Sequence, residues 1–146
     1  MIQRIQSIYL LLSAGLTSVL LRLPLVRTDV TDTPGILGDQ VFNLQDDPLL
    51  LGLFIIAAVL ALASIFLFRN RPLQMKLTLV SVLFTVLGLG FAAYLLFFQG
   101  NTLPLAQLQV QAGSALPVLA IITGLLAHRQ IKKDENTVKK AYGRLR

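Results

Sequence analysis

Residues 49–68 are twenty consecutive residues without a charge, and Ser64 carries their single side-chain hydroxyl. At 1.5 Å per residue, a helix of that length spans about 30 Å, which is the thickness of a bilayer's hydrocarbon core. A helix that is apolar all round finds no place in a small soluble bundle, whose helices need a polar outer face. Asp47 suits an N-cap and Pro48 suits the first helical position, so a membrane span is expected over residues 48–68.

Three further spans follow from similar reasoning. Residues 5–23 are uncharged apart from Arg22, which can snorkel towards the headgroups. A basic start followed by an apolar run also describes a signal peptide, but no small-residue cleavage pattern follows it. Residues 72–98 end in a charge-free stretch of twenty-two residues, 77–98, with a helix stop expected at Gly100. The fourth span is expected from Pro104 to residue 128. It opens with Gln107, Gln109 and Gln111 and turns apolar over 113–127, and Pro117 is expected to kink it by removing one backbone hydrogen bond. The expectation is an all-α, integral membrane four-helix bundle in one domain. A loop at 24–47 and a basic amphipathic tail at 129–146 complete it. Within the loop, Thr33-Pro34-Gly35 reads as a tight turn and residues 41–44 as a short extended piece. Composition agrees: 14% of residues are charged, against about 25% in soluble domains. The chain has no cysteine, which excludes disulfides, thiolate metal sites and cysteine nucleophiles.

The connections alternate in charge. Arg69, Arg71 and Lys76 give +3 between spans two and three, and seven basic against two acidic residues give the tail +5. The 24–47 loop with Arg22 carries two basic and five acidic residues, a net −3, and the connection at 99–103 is neutral. Lys and Arg collect on the cytoplasmic side of bacterial membranes, which places both termini and the 69–76 loop there. Arg71 and Lys76 lie at the start of a helix, where the macrodipole disfavours cations, so topology explains them better than helix energetics does. A net charge of +6 otherwise points to nucleic acid. Here +5 of it sits in the tail and no nucleic-acid-binding motif accompanies it, so no such partner is expected.

Small and hydroxyl residues recur at helical spacing. Span three carries Thr78, Ser81, Thr85, Gly88 and Ala92. Span four carries Gly113, Pro117, Ala120, Gly124 and Ala127. Span two carries Ala57, Ala61 and Ser64, and span one Ser7, Ala14 and Ser18. Such stripes let helix backbones approach closely, leaving Leu, Ile and Phe to meet lipid.

Chemistry is sparse. The apolar cores of the spans hold no Asp, Glu, Lys, Arg or His, the groups on which proton-coupled transporters and intramembrane enzymes rely. No catalytic, cofactor-binding or metal-ligating set is expected. Gln107 and Gln111, four residues apart with Ser114 nearby, are read as hydrogen-bonding across helices near the outer surface. His128 has no partner close in sequence and is read as an interfacial residue. The aspartates of the loop lack the alternate spacing of a calcium loop. In the tail, Ile131, Val138, Tyr142 and Leu145 share one side of a helix. Basic residues fill much of the rest, a pattern suited to anionic lipid or to a docked partner. The candidate lipid- or partner-contacting residues are therefore Arg69, Arg71, Lys76, Arg129, Lys132, Lys133, Lys139, Lys140, Arg144 and Arg146.

Three stretches carry a resemblance: Met1-Ile2-Gln3-Arg4-Ile5-Gln6-Ser7-Ile8-Tyr9-Leu10, Arg71-Pro72-Leu73-Gln74-Met75-Lys76-Leu77, and Ile131-Lys132-Lys133-Asp134-Glu135 leading to Arg144-Leu145-Arg146. Together they resemble a bacterial family of small four-span inner-membrane proteins of unknown function, over the whole chain. The resemblance implies the same topology and location and supplies no activity. The expected function is that of a non-enzymatic accessory, scaffold or assembly component, in contact with lipid and with another membrane protein or itself. The competing reading is a small transporter or channel for a neutral or lipid-like solute. Reporter fusions test the topology: fusions after Arg71 and Arg146 should report cytoplasm, and fusions at Gly38 and Gly100 the outside. A cytoplasmic signal at Gly38 would sink the arrangement.

Overall fold

The computed structural model describes residues 2–30, 35–99 and 107–143. Four helices dominate it: α1 (Ile2–Leu20), α2 (Pro48–Phe66), α3 (Arg71–Tyr94) and α4 (Ala115–Gly143). α1 packs against α2 and α4, and α3 against the same two, so the helices close a ring. Cross-contacts run in opposite senses along neighbouring helices. Ser13 meets Ala120 while Gln6 meets Asp134, and Ser81 meets Ala57 while Gly88 meets Phe54. α1 and α4 therefore run antiparallel, as do α2 and α3. Three of the helical segments are long and apolar enough to cross a membrane; the apolar part of α1, Ile5–Leu20, is shorter.

The helix starts follow from local chemistry. The Asp47 carboxylate accepts from the backbone N–H of Leu49 at 2.8 Å and of Leu50 at 3.0 Å, and Pro48 occupies the first position, where its missing N–H costs nothing. Asn70 caps α3 by accepting from the Leu73 N–H at 3.3 Å. α3 closes with a π-helical turn, Leu95–Gln99.

The start of the fourth span differs from the sequence expectation. Residues 108–110 form a strand, and α4 begins only at Ala115 after a 3-10 turn, Ala112–Ser114. Pro104 and Gly100 lie outside the described residues. Pro117 falls in the first turn of α4, where no intrahelical N–H bond is lost, so the expected kink has no cause. Gln107 and Gln111 do not share a helix face. The Gln111 N–H donates to the Leu25 carbonyl at 3.1 Å and the Ser114 hydroxyl to the Gln111 carbonyl at 2.7 Å.

That strand completes a small antiparallel sheet: β1 (Val26–Thr28) lies between β2 (Val41–Phe42) and β3 (Leu108–Val110). Val26 pairs with Phe42 on one side and Val110 on the other. Alternation along β1 buries Val26 and Thr28 and leaves Arg27 exposed. The buried face covers a cluster containing Leu20, Leu37, Phe42, Leu50, Phe54 and Leu95. The loop is thus a lid on one end of the helices. Of the expected tight turn, Thr33 and Pro34 lie outside the described residues, and Gly35 has a positive φ of 87°.

Between the helices the stripes face inward: Thr78, Ser81, Thr85, Gly88 and Ala92 are buried, as are Gly113, Pro117, Ala120, Gly124 and Ala127. Ala14, Ala57, Ala61 and Ser64 are also buried, whereas Ser18 is exposed. Leu11, Val59, Leu83 and Ile122 are among the residues on the outward faces. A Cβ added at Gly88 would stand 2.8 Å from the Phe54 ring, and one at Gly124 would stand 2.6 Å from Val82 Cγ2. At Gly113 it would strike the backbone carbonyl of Pro24, which has no rotamer to move into.

Alanine at Gly113 should therefore cost about 1–3 kcal/mol, as overpacking typically does. Gly88→Ala and Gly124→Ala should cost less, because side chains rather than backbone must yield. At Gly90, a Cβ meets nothing within 4 Å. Gly90→Ala should be neutral or stabilise by up to about 1 kcal/mol, since alanine is the better helix former. Melting in detergent gives the order; equal melting points for all four variants would refute it.

Candidate functional site

At the end opposite the sheet, the chain brings together the start of α1, the α2–α3 turn and the C-terminal half of α4. The turn at 67–69 is short and hydrogen-bonded: the Leu67 N–H donates to the Ser64 carbonyl at 3.3 Å, and the Asn70 N–H to the Leu67 carbonyl at 2.9 Å. α4 then continues without a break past the other helices. Its 29 residues make it about 43 Å long at 1.5 Å per residue.

Ile131 is fully buried with Leu10 and Ala127, and Tyr9, Ile65 and Met75 pack around them. All four helices contribute to this cluster. One turn further out, Gln6 donates through Nε2 to the buried Asp134 carboxylate and also to the Gln130 carbonyl, at 3.4 Å. Gln74 is also buried, and its carbonyl accepts from the Thr78 hydroxyl at 2.8 Å. The basic end is thus tied internally by an amide–carboxylate contact in place of a surface ion pair. A carboxylate taken out of water needs such donors.

This geometry revises the tail. Ile131, expected on a free apolar side, packs against α1, and Asp134 is part of the interior. The first turns of the tail belong to the helix assembly and do not form a separate segment lying along a surface. Val138 is exposed. Arg144, Leu145 and Arg146 lie outside the described residues, as does the Tyr142 side chain.

The remaining basic residues line two adjoining surfaces, and Lys132 borders both. Arg129, Lys132, Lys133 and Lys140 line an open depression on the outer side of α4 with Thr137. Between α3 and α4 lies a groove of about 400 Å³. α3 contributes Pro72, Met75, Lys76 and Leu79, and α4 contributes His128, Lys132, Glu135 and Lys139. Lys139 Nζ sits 2.8 Å from Glu135 Oε1, the one ion pair among the described residues. His128 Nδ1, beside the groove, and Arg71 Nη1, outside it, are buried with no hydrogen-bond partner among the described residues. Arg69 is exposed on the turn. No group of three or more potential metal ligands occurs among the described residues.

The sequence reading missed Gln6, Gln74 and Asp134 as interior residues. For Gln74 and Asp134 the signal was present in the stripes. Gln74 precedes Thr78, Ser81 and Thr85 at the same spacing of four and three. Asp134 extends Gly113, Pro117, Ala120, Gly124, Ala127 and Ile131 in an unbroken alternation of four and three. The stripe was cut short where apolar residues ended, although the packing continues. Each of the three stretches that carried the resemblance places a buried residue here: Gln6, Gln74 and Asp134.

Removing Gln6 should expose the cost of this arrangement. Gln6→Leu strands the Asp134 carboxylate in the interior and should destabilise the protein by about 1–3 kcal/mol. Adding Asp134→Leu should recover much of that loss, because two apolar partners leave nothing unsatisfied. A double-mutant cycle on thermal unfolding measures it; additive losses would show the contact to be idle.

A family model described as a domain of unknown function, DUF4293, matches residues 2–145. No curated protein and no solved structure matches the chain.

Proposed function

The chain belongs to the DUF4293 family, and from that premise we propose that it is a non-enzymatic membrane protein of four spans, an accessory, scaffold or assembly component. In this reading it lies in a bacterial inner membrane with both termini and the basic end in the cytoplasm. The sheet end faces outward, and the partners are lipid and either another membrane protein or a second copy.

The observation that carries the reading is how the interior is filled. Phe54 lies against Gly88, Val82 against Gly124, and the Ser81 hydroxyl donates to the Ala57 carbonyl at 2.7 Å. Ser13 donates to the Ala120 carbonyl at 3.0 Å. A transporter needs a binding site near the midplane and two arrangements of its helices; contacts this close leave little freedom for either. The buried hydroxyls of Thr17, Ser64 and Thr85 bond to carbonyls four residues back in their own helices, which leaves them poor ligands for a solute.

Two assays separate this reading from a small transporter or channel for a neutral or lipid-like solute. Cross-linking in intact membranes, followed by extraction in a mild detergent, should yield a defined complex with another membrane protein or a homo-oligomer. Proteoliposomes containing this chain alone should show no solute flux above empty vesicles. Flux without a partner would favour the transporter.

A further inference from the structure

We propose that the groove between the start of α3 and the C-terminal half of α4 binds the headgroup phosphate of an anionic phospholipid. The inference rests on the membrane-embedded reading above and deepens it by naming a ligand and a place.

Lys76 and Lys132 reach the groove from facing helices. The N-terminal end of α3 adds the partial positive charge of its dipole on the same side. Glu135 is the groove's one carboxylate, and it is engaged by Lys139 at 2.8 Å. The two lysines thus converge without an acidic partner among the described residues. His128 lines the same groove, and its Nδ1 has no hydrogen-bond partner among the described residues.

The floor of the groove distinguishes a lipid from free phosphate. Met75 and Leu79 line it beside the lysines. Leu79, Leu83 and Val86 then continue as exposed apolar residues down one side of α3, at spacings of four and three. An acyl chain attached to a phosphate held at Lys76 and Lys132 has that track to follow. Lys133 and Lys140 line only the adjoining depression on α4, away from α3, and serve as a charge-matched comparison.

The full chain is placed in nanodiscs of equal phosphatidylglycerol and phosphatidylcholine, and the lipids it retains on release are identified by native mass spectrometry. Retained lipid should be enriched in phosphatidylglycerol. Lys76→Ala with Lys132→Ala should reduce that enrichment by about fivefold for each lysine removed. Lys133→Ala with Lys140→Ala should leave it nearly unchanged, and soluble glycerol phosphate should not displace the lipid. Equal losses in the two double variants would mean diffuse charge and overturn the site. Complete displacement by glycerol phosphate would overturn the lipid assignment. A wild-type chain that enters nanodiscs without enrichment overturns this inference alone, whereas a chain that fails to enter them overturns the membrane reading as well.

Discussion

In a hydrocarbon solvent, helices gain nothing by hiding apolar side chains from one another, so what holds them together is how closely their backbones approach. Here that approach is made at Gly88 against Phe54, at Gly124 against Val82, and at the two serines that donate across a helix boundary. Each contact requires a residue with little or no side chain on one side. The outward positions carry no such requirement and are filled with Leu, Ile, Val and Phe. Faces that are apolar outside and small inside reverse the pattern of a soluble bundle, and the ring of helices follows from that reversal.

The two ends solve different problems. At one, the helices end in connections whose backbone groups need partners, and the three-stranded sheet supplies them while burying Phe42 and Leu37 over the core. Phe91, Tyr94 and Phe98 stack along the same end of α3, with ring centroids 6.2 and 5.0 Å apart, where aromatic side chains suit a membrane–water boundary. At the other end, α4 outruns its neighbours and is held by Ile131 and Asp134. Its basic residues are therefore presented on a rigid helix. The Lys76–Lys132 groove exists because α4 stays straight beside α3 past the end of the apolar region.

Much of this was legible in the residues themselves. The lengths of the apolar runs, the cap at Asp47, and the stripes of small residues are local or periodic properties, and periodicity reports which face of a helix is buried. The strand at Leu108–Val110 was not legible. Its partner is β1, about eighty residues away, and a short run of Gln, Leu and Val fits a polar helix start as well as an edge strand. Gln6 escaped because a buried amide looks like a surface residue until the partner that satisfies it is known, whereas Asp134 continues the stripe of span four at the same spacing.

The sequence by itself determined four apolar helical segments, their antiparallel order through short or charged connections, and the inward faces of α2, α3 and α4, because these depend on spacing and on the thickness of a hydrocarbon layer. Tertiary structure decided three things. It turned the 24–47 loop and the segment before Ala115 into one sheet, took the beginning of the basic tail into the helix assembly, and set Lys76 opposite Lys132. Each of these joins residues distant in the chain, and the energy that selects such a pairing is paid and recovered only when both partners are in place.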